Sequence, residues 1–450
     1  SQVPADVSSV TVELTSKMPA ALLARTTLYV DGEKLESAAS GKYSFDIPIA
    51  DEWTQAKIDL IYQNEKGEET RSTYQLRIER LKGTILSVKL APETAIFSIS
   101  NKLVGPAFPG EDGRYSLIRG YEYSYTVSAY GYQAQTGSFT AEEPEMALEF
   151  ALVPADSNDS INEEIPSEWG DFRGDETNNA VTSIATPISA SDAVMYWANQ
   201  AGISYGSDAV SSPILVNGYL ICTAKQNIFK IDTVTGEIVQ VGDMIKKSAF
   251  NITPPTYAKG MLFVALADGT VQAFNADTLE SLWVYTDPLG GQPNSPITYH
   301  NGYIYTGFWN GEGDNGNWVC LSITDENPAK TNEAKKATWT YTQKGGFYWA
   351  GAYVSDRFMI VGTDDGETGY VSPSANLLSL DPSSGRVIDC LSGLDADIRC
   401  TICYDKKTDR YYFTSKGGYF YSVAVSKDGF FDHDSLKKLN LRNGNAIEGM

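Results

Sequence analysis

Histidine is almost absent, with two residues in 450. A serine-histidine-aspartate triad needs an imidazole base, and the candidates are His300 and His433. The first stands before the Asn301-Gly302 turn and the second lies inside Asp432-His433-Asp434, where a solvated turn residue is expected rather than a base. Cysteine is scarce as well. Five residues, Cys222, Cys320, Cys390, Cys400 and Cys403, are odd in number and imply no disulfide framework. Cys400-Thr-Ile-Cys403 has the spacing of a metal or redox pair. In a predicted strand over residues 399–404, however, positions i and i+3 point to opposite faces, so buried, inert thiols are expected. Basic residues are outnumbered, 35 against 57 acidic, for a net charge of −22. That balance excludes nucleic acid and anionic membrane as partners, because a phosphate backbone needs clustered Lys and Arg. The twelve arginines are scattered, with no cluster suited to a substrate carboxylate. No apolar run approaches the ~18 residues of a membrane span, so no membrane insertion is expected. Ser1-Gln-Val-Pro reads as a mature or trimmed start, and export is an inference.

What the chain does have is a repeat. Ser212-Pro213-Ile-Leu-Val-Asn217-Gly218-Tyr-Leu-Ile recurs as Pro255-Thr-Tyr-Ala-Lys259-Gly260-Met-Leu-Phe and as Ser295-Pro296-Ile-Thr-Tyr-His-Asn301-Gly302-Tyr-Ile-Tyr. The three glycines stand 42 residues apart, and weaker copies follow at 351–360 and 400–413. Asn-Gly between apolar runs is a strong hairpin signal, because both positions accept positive φ. A third strand then runs into a turn, Asp232-Thr-Val-Thr235-Gly236, which returns as Asp381-Pro-Ser-Ser384-Gly385. An outer strand is marked by Trp283 and again by Trp339. Four-stranded units with a period of 40 to 50 residues predict a β-propeller with about five blades.

Residues before the propeller alternate apolar and polar with period two. Val10, Val12 and Leu14, then Tyr43, Phe45 and Ile47, then Ile58, Leu60 and Tyr62, predict a small β-sandwich over residues 1–82. Leu86, Val88 and Leu90, the ladder Tyr121 to Ala129, and Leu148, Phe150 and Leu152 predict a second over 83–154. Residues 155–168 are polar, acidic and Pro-bounded, and read as a linker to a propeller at 169–450. The fold class is therefore all-β, with two small sandwiches followed by a propeller.

The unit of apolar strand, Asn-Gly hairpin, Asp-x-x-Thr-Gly turn and outer Trp resembles the PQQ-like, quinoprotein-type propeller repeat. The lead-in Trp169-Gly-Asp-Phe172-Arg173-Gly174, with Asn178-Asn179 and Trp197, resembles the start of such propellers in bacterial surface proteins. Gly113-Arg-Tyr115-Ser-Leu117 and Tyr130-Gly131-Tyr132 resemble Ig-like or carboxypeptidase-regulatory-like modules. The resemblance implies quinone-dependent dehydrogenases on one side and cofactor-free scaffolds, such as a lipoprotein of outer-membrane assembly, on the other. Dehydrogenases of the family usually carry an adjacent cysteine pair or a calcium site. No Cys-Cys dipeptide exists here, and no cofactor is expected.

Chemistry-bearing motifs are thin. Asp364-Asp365-Gly366-Glu367 and Asn310-Gly-Glu312-Gly-Asp314-Asn315 do not match a calcium loop, so no metal is expected. Arg173-Gly174-Asp175 spells an integrin-read tripeptide but falls in the propeller lead-in. The loops between second and third strands, and those leading into each first strand, should converge on one face. Blade three expands there through Phe308-Trp309 to Trp318, blade four from Asp364 to Asn376, with Gly345-Gly346-Phe347-Tyr348-Trp349 between. Phe347 and Trp318 are expected in the core. Trp309, Glu312, Asp314, Tyr348, Trp349, Asp364, Asp365 and Tyr370 form the candidate ligand-binding set, with no catalytic residue among them.

The resulting expectation is a monomeric, non-enzymatic protein of the bacterial cell surface. Its propeller would present a binding scaffold to protein or glycan in an adhesion-type role. The rival is a propeller glycosidase, a lyase or a cryptic quinone-binding dehydrogenase. One more expectation concerns completeness. Trp197 matches the outer-strand tryptophans, yet no three inner strands precede it, and 443–450 stops where a blade would begin. The chain is therefore expected to be a fragment with further repeats beyond Met450 and an open ring.

Overall fold

A computed structural model describes residues 8–36, 41–49, 53–175, 177–203, 206–248, 253–367 and 375–441, with the backbone of Gln2–Val3. Tyr370 and the stretch 443–450 lie outside the described residues. The chain is almost entirely β, and its helical pieces among the described residues are Ala20–Leu23 and a 3-10 turn at Gly206–Asp208. It divides into two compact units. One comprises Ser1–Lys89, Ile99–Ser124 and Ser138–Glu149, and the other Leu90–Ser98, Tyr125–Gly137 and Phe150–Met450. The division runs through the strands between 83 and 151.

In the first unit, Gln2–Val3, Glu69–Arg80, Trp53–Gln63, Thr26–Val30 and Glu33–Leu35 make one sheet in that spatial order, and Ser9–Thr15 pairs with Lys42–Pro48 in another. The alternation that predicted these strands sorts the faces. Leu28, Tyr43, Ile47, Ile58 and Ile78 are buried, while Ser44, Asp46 and Lys57 beside them are exposed.

The second unit holds five successive sheets, the blades. Blade one contains Ile214–Val216, Tyr219–Ala224, Asn227–Asp232 and Ile238–Asp243, and blade two Thr256–Ala258, Met261–Leu266, Thr270–Asn275 and Ser281–Thr286. Blade three contains Thr298–His300, Tyr303–Gly307, Asn315–Ser322 and Trp339–Lys344. Blade four contains Tyr353–Val354, Met359–Gly362, Ala375–Leu380 and Val387–Leu394, and blade five Cys403–Asp405, Arg410–Ser415, Tyr419–Val425 and Phe431–Asn440. The hairpin glycines Gly218, Gly260 and Gly302 have φ of +74°, +73° and +85°, and each preceding residue is also left-handed. This is the two-residue turn that the Asn-Gly signal specifies.

Blades two, three and four are apolar on both faces because each is sandwiched between two neighbours. Ile214, Ile221 and Ile228 of blade one meet Leu262, Val264 and Phe274 of blade two. Phe263, Ala273 and Trp283 meet Ile304, Val319 and Leu321 of blade three. Tyr305, Trp318, Trp339 and Phe347 meet Met359, Val361 and Leu378 of blade four. Ile360, Leu377 and Leu391 meet Ile402, Phe413 and Val423 of blade five.

The turn glycine of the repeat has a specific packing reason. Trp339 of blade three lies flat on the Asp381–Gly385 turn of blade four, its Nε1 donating to the Pro382 carbonyl at 2.9 Å. A Cβ on Gly385 would sit 2.5 Å from Trp339 Cε3. Where the turn carries Leu279 instead of glycine, blade one offers no tryptophan; Gln240 donates to Thr278 O and Gly242 clears Leu279. Gly385→Ala is therefore expected to destabilise the propeller by about 2 kcal/mol or more, combining left-handed strain (φ +72°) with overpacking. Gly218→Ala, with φ +74° and nothing within 4 Å of the new methyl, should cost about 1 kcal/mol. Equal losses in urea unfolding would show that the tryptophan contact contributes nothing.

The acidic stretch 155–168, read as a linker, hydrogen-bonds to the propeller at several points. Asn158 Nδ2 donates to Asp325 Oδ2 at 2.7 Å, Asn275 Nδ2 to Ser160 O at 2.9 Å, and Tyr257 Oη to Ile165 O. Ser167–Trp169 then adds a fifth strand to the inner edge of blade one.

Candidate functional site

The enlarged loops of blades three and four do meet on one face, together with the segment leading into blade five. Trp309, Tyr348 and Trp349 form a continuous stack, with ring centroids 4.5 Å apart in both pairs. Trp349 holds a left-handed backbone, φ +57°, which a bulky residue rarely adopts and which aims its ring along the stack. All three rings are half-buried. Phe347 and Trp318 lie fully buried beneath them in the core between blades three and four.

Under the stack sits Arg399. Its Nε donates to Asp364 Oδ1 at 3.0 Å, and its Nη2 to Asp364 Oδ2 at 2.6 Å and Glu312 Oε1 at 3.0 Å. Asp397 Oδ2 is a further 3.0 Å from the same nitrogen. The guanidinium also lies 4.8 Å from the Tyr348 ring centroid and 5.9 Å from that of Trp309. Trp309 Nε1 donates to Asp364 Oδ2 at 2.8 Å, and Asp365 N to Asp397 Oδ1 at 3.0 Å. Lys416 Nζ approaches Asp397 at 3.9 Å. Burial pushes Asp364 up to about 7 against the pull of Arg399, and raises Asp397 in the same way. The carboxylates hold the guanidinium firmly protonated.

Glu312, Asp364 and Asp397 offer oxygens within 4.8 Å of one another, which is metal-ligand spacing. The space between those oxygens is filled by Arg399 Nη2, so these residues as arranged do not fit a resident metal.

Six predicted residues, Trp309, Glu312, Tyr348, Trp349, Asp364 and Asp365, are therefore brought together. Asp314 is on the same loop but exposed, with its carbonyl accepting from Gly345 N at 2.8 Å. Arg399, Asp397 and Lys416 were missed. The predicted strand over 399–404 is in fact Cys403–Asp405, and residues 398–402 form the loop that carries Arg399 over the face. Cys400 is buried against Thr414, whereas Cys403, expected to be a buried thiol, is only partly buried and points to Asn179 Oδ1. His300 pairs with Asp356 at 2.8 Å, away from this cluster.

A protein-family model described as outer membrane protein assembly factor BamB matches residues 196–325, the stretch from Trp197 through the inner strands of blade three. The repeat is of the PQQ-like type. No curated protein matches the chain. Among solved structures, it is similar to quinohemoprotein alcohol dehydrogenase from Comamonas testosteroni at 16% identity, covering 61% of this chain and 49% of that one, with a TM-score of 0.41. It is similar to quinohemoprotein alcohol dehydrogenase ADHIIG from Pseudomonas putida HK5 at 13% identity, 52% and 42% coverage and TM-score 0.37. Similarity to BamB from Moraxella catarrhalis is 14% identity, 52% and 63% coverage and TM-score 0.34. The chain thus spans about half the length of the dehydrogenases it resembles. The expectation that the chain is not an enzyme is corrected here: two of these three similar structures are enzymes, and the architecture does not exclude catalysis.

Proposed function

We propose that the loop face of the propeller binds a basic segment of a partner protein, with residues 1–82 and 83–154 as Ig-like spacer modules outside the cytoplasm. The observation that carries this reading is the half-exposed aromatic stack Trp309–Tyr348–Trp349 bordered by acidic loops. Stacked rings beside carboxylates suit the stem and charge of a lysine or arginine side chain. Glu312 Oε2 and Trp349 Nε1 are shielded atoms with no hydrogen-bond partner among the described residues. The net charge of −22 adds long-range attraction for such a segment. The matching family description, an outer membrane protein assembly factor, supports a protein as the partner and a location beyond the cytoplasm. No helix among the described residues is long and apolar enough to cross a membrane.

The test is a panel of lysine- and arginine-rich peptides, with neutral peptides and a glycan array beside it, read by calorimetry. Tyr348→Ala should weaken a bound basic peptide by about 2 kcal/mol, and raising the salt concentration should weaken it further. Binding unaffected by Tyr348→Ala, or confined to glycans, would overturn the reading.

A further inference from the structure

The sandwich of the first unit is a wedge, closed at one end and open at the other. At the closed end Ile47, Ile49, Ala56 and Ile78 pack together, each at most 4% exposed. The open end lies where Thr15 pairs with Lys42 and Thr26 pairs with Tyr62. The inner-face alternation continues there through Leu14, Leu60 and Tyr74, but the burial does not. Leu14 and Leu60 are only half-buried, and Tyr74 is 57% exposed. The two strands Ser9–Thr15 and Lys42–Pro48 lie over a sheet of five, and the chain leaves them after Thr15.

The result is a cavity of about 750 Å³. Its walls are Leu14, Leu23, Leu28, Ile58, Leu60 and Leu76. The lip is the segment 16–19 and the short helix Ala20–Leu23, where Met18 and Leu22 are 37% and 42% exposed. It is fixed by local bonds: Met18 N donates to Ser16 Oγ at 3.1 Å, and Thr26 Oγ1 to Leu22 O at 2.9 Å. Lys17 is the one charged residue among those lining the cavity, and it is exposed.

We propose that this cavity binds one long-chain fatty acid, with the alkyl chain between the sheets and the carboxylate at Lys17. The volume falls in the range of about 300–1,000 Å³ that ordinary ligand sites occupy. Its shape excludes a helix, because stacked sheets lie ~10 Å apart and a helix with its side chains is itself ~10–12 Å across. Its chemistry disfavours an extended peptide, whose amide groups would be stripped of water against leucine walls. An alkyl chain has no such groups, and each methylene it buries adds to affinity. The single cation at the mouth selects an anionic head over a neutral one. This gives the first module a ligand of its own, independent of the loop face of the propeller.

The test is calorimetric titration of the full chain with palmitate, kept below its micelle-forming range. Palmitate should bind at a single site, and the shorter octanoate at least about 100-fold more weakly, since buried methylenes supply the affinity. Lys17→Glu should weaken palmitate about five-fold and leave methyl palmitate unchanged. Leu60→Trp, which adds a ring to a half-buried wall, should weaken both lipids at least about 30-fold. No palmitate binding by the unaltered chain overturns the proposal, as does an affinity indifferent to chain length. So does undiminished binding by a Leu60→Trp chain with native circular dichroism. Lys17→Glu lies on an exposed loop and decides the matter even if Leu60→Trp does not fold: no loss of palmitate, or an equal loss of methyl palmitate, overturns the proposal. A lipid-free dimer that Met18→Glu dissociates would show a second copy seated in the cavity, and that result overturns it too.

Discussion

Replacing Arg399 with leucine is expected to destabilise the propeller by about 3–5 kcal/mol near pH 7.5, because it strands a buried cluster of like charges. Asp364 and Asp397 have 1% and 0% of their side chains exposed, and their remaining cation, Lys416, is 3.9 Å from Asp397. Leucine fills the aliphatic part of the arginine and nothing else. It cannot donate the three hydrogen bonds to Asp364 and Glu312, nor give Tyr348 a charged plane to stack on. Glu312→Gln is the control. Glu312 is one-third exposed, so its loss should cost under 1 kcal/mol. Urea unfolding followed by tryptophan fluorescence measures both.

The pH dependence separates charge from packing. Burial pushes the Asp364 carboxyl up to about 7 from its ordinary 3.8, so the folded state holds the proton more tightly than the unfolded one. A carboxyl shifted in this direction contributes stability fully below about pH 4 and loses it as the pH rises through about 7. Removing Arg399 leaves burial unopposed and moves the carboxyls further up. The deficit of Arg399→Leu should therefore be largest at pH 8 and shrink below half of that value by pH 5. A loss of the same size at both pH values would mean that the guanidinium matters as bulk, and that the carboxylates are neutral throughout.

The difference between what was legible and what was not is a matter of range. Asn217-Gly218 and Asn301-Gly302 determine hairpins through their own φ preferences, so the strand pattern could be read within ten residues. Gly236 and Gly385 were visible as a repeated turn, but their reason, a tryptophan ring packed on each, was not, since that ring comes from 39 residues upstream for Gly236. The loop face was found because blades three and four break the period with insertions. Arg399 was lost because period-two reading extended the strand backwards over 399–402, where Arg399 and Thr401 alternate with Cys400 and Ile402 as a half-buried strand would. Only the packing of Ile398 and Ile402 between blades four and five bends that segment over the face. Asp397 is one acid among 57 and carries no local signal at all. The docking of 155–168 was invisible for the same reason: its partners, such as Asp325 and Asn275, lie more than 100 residues away.

Lys335→Met should produce the second large loss, about 3 kcal/mol or more, at a place with no surface role. Lys335 has 1% of its side chain exposed and lies on Glu333–Lys335, a short strand added parallel to the outer strand of blade two. Its Nζ donates to Thr324 O at 2.6 Å and Glu326 Oε1 at 2.7 Å, beside the Trp283 ring. Burial lowers its pKa and raises those of Asp325 and Glu333, so this cation is what allows the acids around it to remain ionised inside the protein. Methionine matches the stem and removes the charge. The damage should travel along named bonds. Glu326 Oε2 accepts from Ala134 N, Thr324 Oγ1 from Gly131 N, and Asp325 Oδ2 from Asn158. Amide exchange at Gly131 and Ala134 should accelerate with the loss of stability, and adding Glu326→Gln to Lys335→Met should restore part of it. Lys230 supplies the contrast. It also bonds a carboxylate, Asp277 at 3.2 Å, but that partner is 65% exposed, so Lys230→Met should cost under 1 kcal/mol. If both lysines cost the same, burial of the partners is not what makes Lys335 matter, and the ion cluster does not hold this corner of the propeller.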